Sequence, residues 1–299
     1  MKNRKVHLLV IIALVAAVAS VVGYTARGSG NQSRTSTSKP AVKATLSTPT
    51  NKPNTAKPKS AAPASSAAAM QNSIFRNELT WTFGGKQQRG WYLYDELLAK
   101  TLDTDDAPVS DNFAEAVTRW QKRRGLSASG LLDQNSWMAM VSHWQGNRLK
   151  NRASATPDQL VTAPASDFYD PSRAAENRQV ERATYEAYLK MIAAASEDLK
   201  LSANDRYLKI ISSFRSREYQ EMLRRKSPNA GSAGLAVNNS PHFTGRALDL
   251  YVGGDPVDTK DANRAIQVNT PAYKWLVRNA ERFGFRPYFY EPWHWEYVK

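Results

Sequence analysis

Apolar positions along the chain fall into blocks of different period. Residues 6–22 form one continuous run with no charged side chain, whereas residues 27–70 are Ser, Thr, Pro, Ala and Lys with almost no large apolar residue. Beyond these, Leu93, Leu97, Leu98 and Leu102 recur at helical spacing. A second helix is predicted from Asp111 as N-cap, with Phe113, Ala116, Val117 and Trp120 on one face and Gly125 closing its end. Residues 136–140 begin a third short helix after a turn at Gly130. A long helix is predicted over 174–199, where Val180, Ala183, Tyr185, Tyr188, Leu189, Ile192 and Ala195 make a buried side. The remainder mixes strands over 207–212, 246–252 and 286–290 with helices over 216–225 and 272–282, and a Gly/Ser/Asn loop over 227–239.

This order has no regular βαβ repetition, so the expected class is α+β. We expect a small mixed or antiparallel sheet with flanking helices, preceded by a small all-α unit of three helices. The segments divide as 1–26, an export signal or membrane anchor; 27–72, a disordered linker; 73–146, the helical unit; 147–173, a polar connector; and 174–299, the α+β domain. The first rests on Lys2, Arg4 and Lys5 ahead of the apolar run, with Ala17-Val18-Ala19 as a small-x-small cleavage site. An uncleaved anchor is the alternative, because the run is nearly long enough to span a bilayer. The linker cannot bury enough surface to offset its ordering entropy.

Charge changes the picture less than its total suggests. The formal net charge is +14, yet residues 1–70 hold ten Lys or Arg and no Asp or Glu. The rest is close to balanced, so a nucleic-acid partner is not expected. With no cysteine, thiolate metal sites, cysteine nucleophiles and disulfides are excluded.

Two segments are dense in reactive side chains. In SPHFTGRALDLYV, Gly245 permits a bend after His242, and the following strand turns Leu248 and Leu250 to one face and Ala247 and Asp249 to the other. A carboxylate between two leucines needs a partner, which is a metal, an arginine or backbone donors. In YEPWHWEY, Glu291 and His294 stand three apart around Pro292. Catalytic zinc needs three protein ligands, an open position and a nearby carboxylate base. His242, Asp249 and His294 supply such donors and Glu291 such a base. A plain salt bridge at Asp249, and an aromatic core closure by Trp293, Trp295 and Tyr297, are the bland alternatives. His7 lies in the export segment, and His143 is read as a surface residue.

The residues carry two resemblances. FAEAVTRWQKRRGLSASGLLDQNSWMAM resembles the three-helix peptidoglycan-binding domain appended to many wall hydrolases, through Ala116-Val117, Trp120-Gln121, Gly125-Leu126, Gly130 and Ser136-Trp137. The usual second glycine of its turn is absent, with Asp133-Gln134 in that region. The resemblance implies cell-wall contact through this unit. From about Tyr207 to Tyr297 the chain resembles the zinc D-alanyl-D-alanine carboxypeptidases of the VanY type. Their Ser-x-His-x-x-Gly-x-Ala-x-Asp is filled by Ser240, His242, Gly245, Ala247 and Asp249, and their Glu-Pro-Trp-His by Glu291, Pro292, Trp293 and His294. SSFRSREYQ resembles the family's Ser-Gly-Tyr-Arg-Ser segment, departing at Ser213 and Phe214 but keeping Arg215.

By this resemblance His242, Asp249 and His294 bind Zn²⁺, and Glu291 is general base and then acid. Arg215 stabilises an oxyanion or a substrate carboxylate, Gln220 orients a substrate amide, and Ser240 supports the site. The implied activity is removal of a terminal D-amino acid, D-Ala, from peptidoglycan stem peptides outside the bacterial cytoplasm. An endopeptidase of the same fold and a non-catalytic wall-binding protein are the alternatives.

Overall fold

The computed structural model describes residues 66–202, 205–226 and 239–299. The export segment and most of the linker read from the sequence lie outside them. Among the described residues no helix is long and apolar enough to cross a membrane.

The N-terminal part opens with α1 (Ala67–Glu78), so the helix begins inside the stretch expected to be linker. A hairpin follows, β1 (Thr80–Phe83) with β2 (Lys86–Arg89), and then α2 (Asp95–Leu102), α3 (Asp111–Arg123) and α4 (Gln134–Gly146). The cap of α3 is Ser110 rather than Asp111, because the Ser110 hydroxyl accepts from the Phe113 amide at 3.1 Å. Its expected face is buried, with Phe113, Ala116, Val117 and Trp120 turned inward. Asp133 caps α4 by accepting from Ser136 N at 2.8 Å. Asn72 ties α1 to the turn before α4, bonding Gly130 O and Leu132 N at 2.8 Å each.

The segment read as a connector includes β3 (Leu160–Thr162), which pairs antiparallel with β4 (Gln179–Glu181). The long helix α5 (Arg182–Leu199) therefore starts later than its apolar pattern suggests. Glu181 caps it, with its carboxylate accepting from Thr184 N at 2.8 Å, and the preceding residues are taken by the strand. Then come β5 (Ile210–Ser212), α6 (Arg217–Lys226), β6 (Ala247–Leu250), α7 (Asp261–Val268), α8 (Pro271–Asn279), β7 (Phe285–Pro287) and β8 (His294–Tyr297). Helix α7 and strand β8 are elements that the periodicity did not reveal.

Strands β5, β6, β8 and β7 form one antiparallel sheet in that order. Helices and antiparallel strands are segregated as an α+β fold requires. The apolar core runs from the helical part into the sheet without interruption. Trp81 meets Trp137 edge-on at 5.1 Å, while Phe289, just ahead of β8, packs on Phe83 at 4.8 Å and on Trp144 at 5.9 Å. Arg264 on α7 donates to the Tyr94 hydroxyl and to the Tyr290 carbonyl, both at 3.1 Å. Sheet and helical layer thus bury their aromatic faces against each other.

Candidate metal centre

The centre is built by strand register. Asp249 on β6 stands directly opposite His294 on β8, and it also pairs with Ser212 on β5. Opposed residues on neighbouring antiparallel strands share one face of the sheet with their Cβ atoms close together. Asp249 Oδ1 accordingly lies 2.9 Å from His294 Nδ1.

His242 arrives from the other side, on a short 3-10 turn at Pro241–Thr244. The Ser240 hydroxyl caps that turn, accepting from His242 N at 3.3 Å. Gly245 ends it with φ +66°, and a Cβ there would come within 2.8 Å of Glu181 N, so only glycine fits. The imidazole is oriented by the Ser213 carbonyl, 2.7 Å from Nδ1. That bond holds the proton on Nδ1 and leaves Nε2 as a lone-pair donor. His242 Nε2 is buried, has no hydrogen-bond partner, and lies 3.4 Å from Asp249 Oδ2.

One donor atom from each of His242, Asp249 and His294 lies within 4.8 Å of the other two. All three residues are buried. Donors of a tetrahedral zinc site stand ~3.3 Å apart, given metal–ligand bonds of ~2.0–2.1 Å. The spacings of 2.9 and 3.4 Å and the orphaned Nε2 suit a metal ion with nitrogen and oxygen ligands.

Electrostatics agree with this use at His242 and Asp249; at His294 burial lowers the pKa, but hydrogen bonds to Asp249 and Glu296 raise it to about 9, so its ring gives up a proton in order to ligate. Burial and the Arg215 cation push the His242 pKa down to about 4, so it is neutral and able to ligate. Burial alone would raise Asp249, but His242 and His294 overcome it and hold the carboxylate ionised far below its ordinary range. Burial likewise pushes Glu291 up to about 8, although His294 opposes the shift. Glu291 is fully buried in the tight turn that precedes β8, where His294 N donates to its carbonyl at 2.9 Å.

Arg215 is buried, donating through Nε to the Ser212 hydroxyl at 3.0 Å and through Nη2 to Asp249 Oδ2 at 2.9 Å. Its Nη1 has no partner, and neither does the buried Oε1 of Gln220 on α6. The salt bridge at Asp249, the bland alternative, is present, and the same carboxylate stands among possible metal donors: one oxygen meets Arg215, and both oxygens face histidines. The structure brings His242, Asp249, His294 and Arg215 together, and Ser240 acts on the backbone of His242. His143 lies apart, half-buried against Arg124, with Nη2 2.6 Å from Nδ1.

Sequence reasoning missed three contributors. The Ser213 carbonyl orients His242. Glu296 accepts from His294 Nε2 at 3.2 Å, and Arg148 ion-pairs with Glu296. The alternation of HWEY carries the signal for Glu296, since period two turns His294 and Glu296 to one face. No sequence signal links Arg148 to it.

Residues 177–299 match the model of the VanY family, described as D-alanyl-D-alanine carboxypeptidase. No curated protein matches the chain. Among solved structures the chain is similar to "Structure of the LdcB LD-carboxypeptidase reveals the molecular basis of peptidoglycan recognition". That similarity is 24% identical with a TM-score of 0.37, covering 48% of this chain and 70% of the other.

Proposed function

We propose that the VanY-type part of this chain is a zinc carboxypeptidase that removes the terminal D-amino acid, D-Ala, from peptidoglycan stem peptides outside the cytoplasm. The observation that carries this reading is the buried His242, Asp249 and His294 cluster with a buried carboxyl, Glu291, in the adjoining turn. The family match over residues 177–299 supports the same reaction class.

His242 through Nε2, His294 through Nδ1 and one oxygen of Asp249 would hold the ion. When bound, zinc supplies Lewis-acid activation of a water and of the scissile carbonyl. Glu291, once ionised, takes the attacking water's proton and delivers it to the departing amine. Its burial makes that carboxyl basic enough for the task. Arg215, held in place by Ser212 and Asp249, turns its remaining N–H groups toward a substrate oxygen anion. Gln220 accepts from a substrate amide N–H, and Ser240 keeps the His242 turn in place. In this reading the helical part contacts the wall polymer.

Digesting stem peptides that end in D-Ala-D-Ala or in a single D-Ala, and identifying the released residue by mass spectrometry, tests the proposal. Release of one terminal D-Ala, lost with a chelator and restored by zinc, is the expected result. Cleavage inside the stem would instead make the chain an endopeptidase, and no cleavage by zinc-loaded protein would leave a binding protein.

A further inference from the structure

Glu296 sits two residues beyond His294 on β8 and faces the same way. Its Oε1 lies 3.2 Å from His294 Nε2, while the opposite nitrogen, Nδ1, lies 2.9 Å from Asp249 Oδ1. To ligate a metal the imidazole must be neutral, with one proton left for two neighbouring carboxylates. If the proton sits on Nδ1, it bonds to Asp249 and His294 cannot ligate a metal beside that carboxylate. If Glu296 holds the proton on Nε2, Nδ1 presents its lone pair among the other donors.

Glu296 is equipped to accept the ring proton once a metal ion engages Asp249. It is fully buried and remains a carboxylate because three donors converge on it. Arg148 gives Nε at 3.1 Å and a shorter bond from Nη2, both to Oε1, and Leu149 N donates to Oε2 at 2.8 Å. Arg148 is itself buried, stacked 3.9 Å over the Tyr288 ring and steadied by Gln145 at the end of α4. Tyr288 in turn meets the His294 ring edge-on at 5.9 Å. The cation that holds Glu296 therefore comes from just beyond α4, 148 residues away in the chain.

We propose that Glu296 is a positioning residue that fixes the metal-ligating tautomer of His294, and that Arg148 makes the segment leaving α4 a structural component of the metal site. This rests on His294 being a metal ligand, and the test separates the two claims. Zinc affinity of the full chain is measured by competition with a chromophoric chelator. The visible spectrum of the Co²⁺-loaded protein and the ¹⁵N shifts of the His294 ring in the zinc form are recorded alongside. Glu296→Gln and Arg148→Met are expected to weaken zinc binding ~10–100-fold and to alter the Co²⁺ spectrum, while Arg148→Lys recovers most of the affinity. Either single change leaves a buried group without its counter-charge, so the paired Glu296→Gln/Arg148→Met chain is measured as well. Folded variants, the paired one included, with zinc affinity, Co²⁺ spectrum and His294 shifts unchanged would overturn the positioning role. If the unmodified chain binds neither Zn²⁺ nor Co²⁺, the metal reading fails first and this role falls with it.

Discussion

Asp249 and His294 are direct cross-strand partners, and a carboxylate oxygen of one stands 2.9 Å from the ring nitrogen of the other. This contact places two donors from segments 45 residues apart on one face of a short sheet. His242 completes the set from a turn that Ser240 and Gly245 hold in place.

Glu291→Gln should separate proton transfer from metal binding. The amide keeps the size of the side chain but cannot take a proton from water. A rate loss of ~10²–10⁴-fold is expected, with zinc content unchanged by elemental analysis. Loss of zinc from a folded Glu291→Gln chain would make Glu291 a ligand, and near-normal turnover would assign the base elsewhere.

The metal-free protein should lose stability as pH rises from 6.5 to 9. Burial lowers the His294 pKa, but hydrogen bonds to Asp249 and Glu296 outweigh it and raise it from 6.5 to about 9. Its stabilising contribution is complete below the unfolded value and disappears as pH passes the folded one. Glu291, raised by burial from 4.5 to about 8, acts in the same direction through the upper part of its range. His242, depressed to about 4, contributes fully above 6.5 and loses its share only as pH falls, so it does not oppose the trend. Thermal melts should show Tm falling by about 5 °C across this window, with a smaller slope after zinc is added. A flat metal-free profile would contradict the buried charges assigned here.

A chain beginning at residue 151 should not yield a soluble, zinc-binding protein. It lacks Arg148, leaves Glu296 buried without its cation, and uncovers Phe289, which packs on Phe83, Tyr94 and Trp144. Breaking a buried ion pair alone costs ~3–5 kcal/mol. Size-exclusion chromatography and zinc titration of the truncated chain check this, and a monomeric truncation with unchanged zinc affinity would refute it.

Gly245→Ala should destabilise the chain although it removes no donor side chain. The added methyl group would lie 2.8 Å from Glu181 N at a backbone angle that suits glycine. Strain of this kind costs ~1–3 kcal/mol, so a lowered Tm is expected, with zinc affinity falling as the His242 turn shifts. An unchanged melt would show that β4 yields easily.

Much of the site was legible because its chemistry is carried by local patterns. His242 and Asp249 lie on one turn and strand, and Glu291 and His294 on one tight turn. The buried face of α3 followed from its period, whereas β6 is buried on both faces. Helix α7 escaped because Asn263, Arg264 and Gln267 lie on its buried side, so it has no apolar stripe of the usual kind. The start of α5 was misread because strand pairing with β3 overrides the helical pattern before Arg182.

Residue identity and short-range spacing thus define the candidate donors, the proposed base and the α+β class, since each depends on a few neighbouring residues. Other features had no such local cause. The register that opposes Asp249 to His294, the carbonyl of Ser213 that orients His242, and the Arg148–Glu296 pair behind His294 all join distant parts of the chain. They arise because burying charge requires every carboxylate and imidazole to find its partner. In a folded core those partners are set by packing between strands and helices, across separations that no repeat or motif in the sequence records.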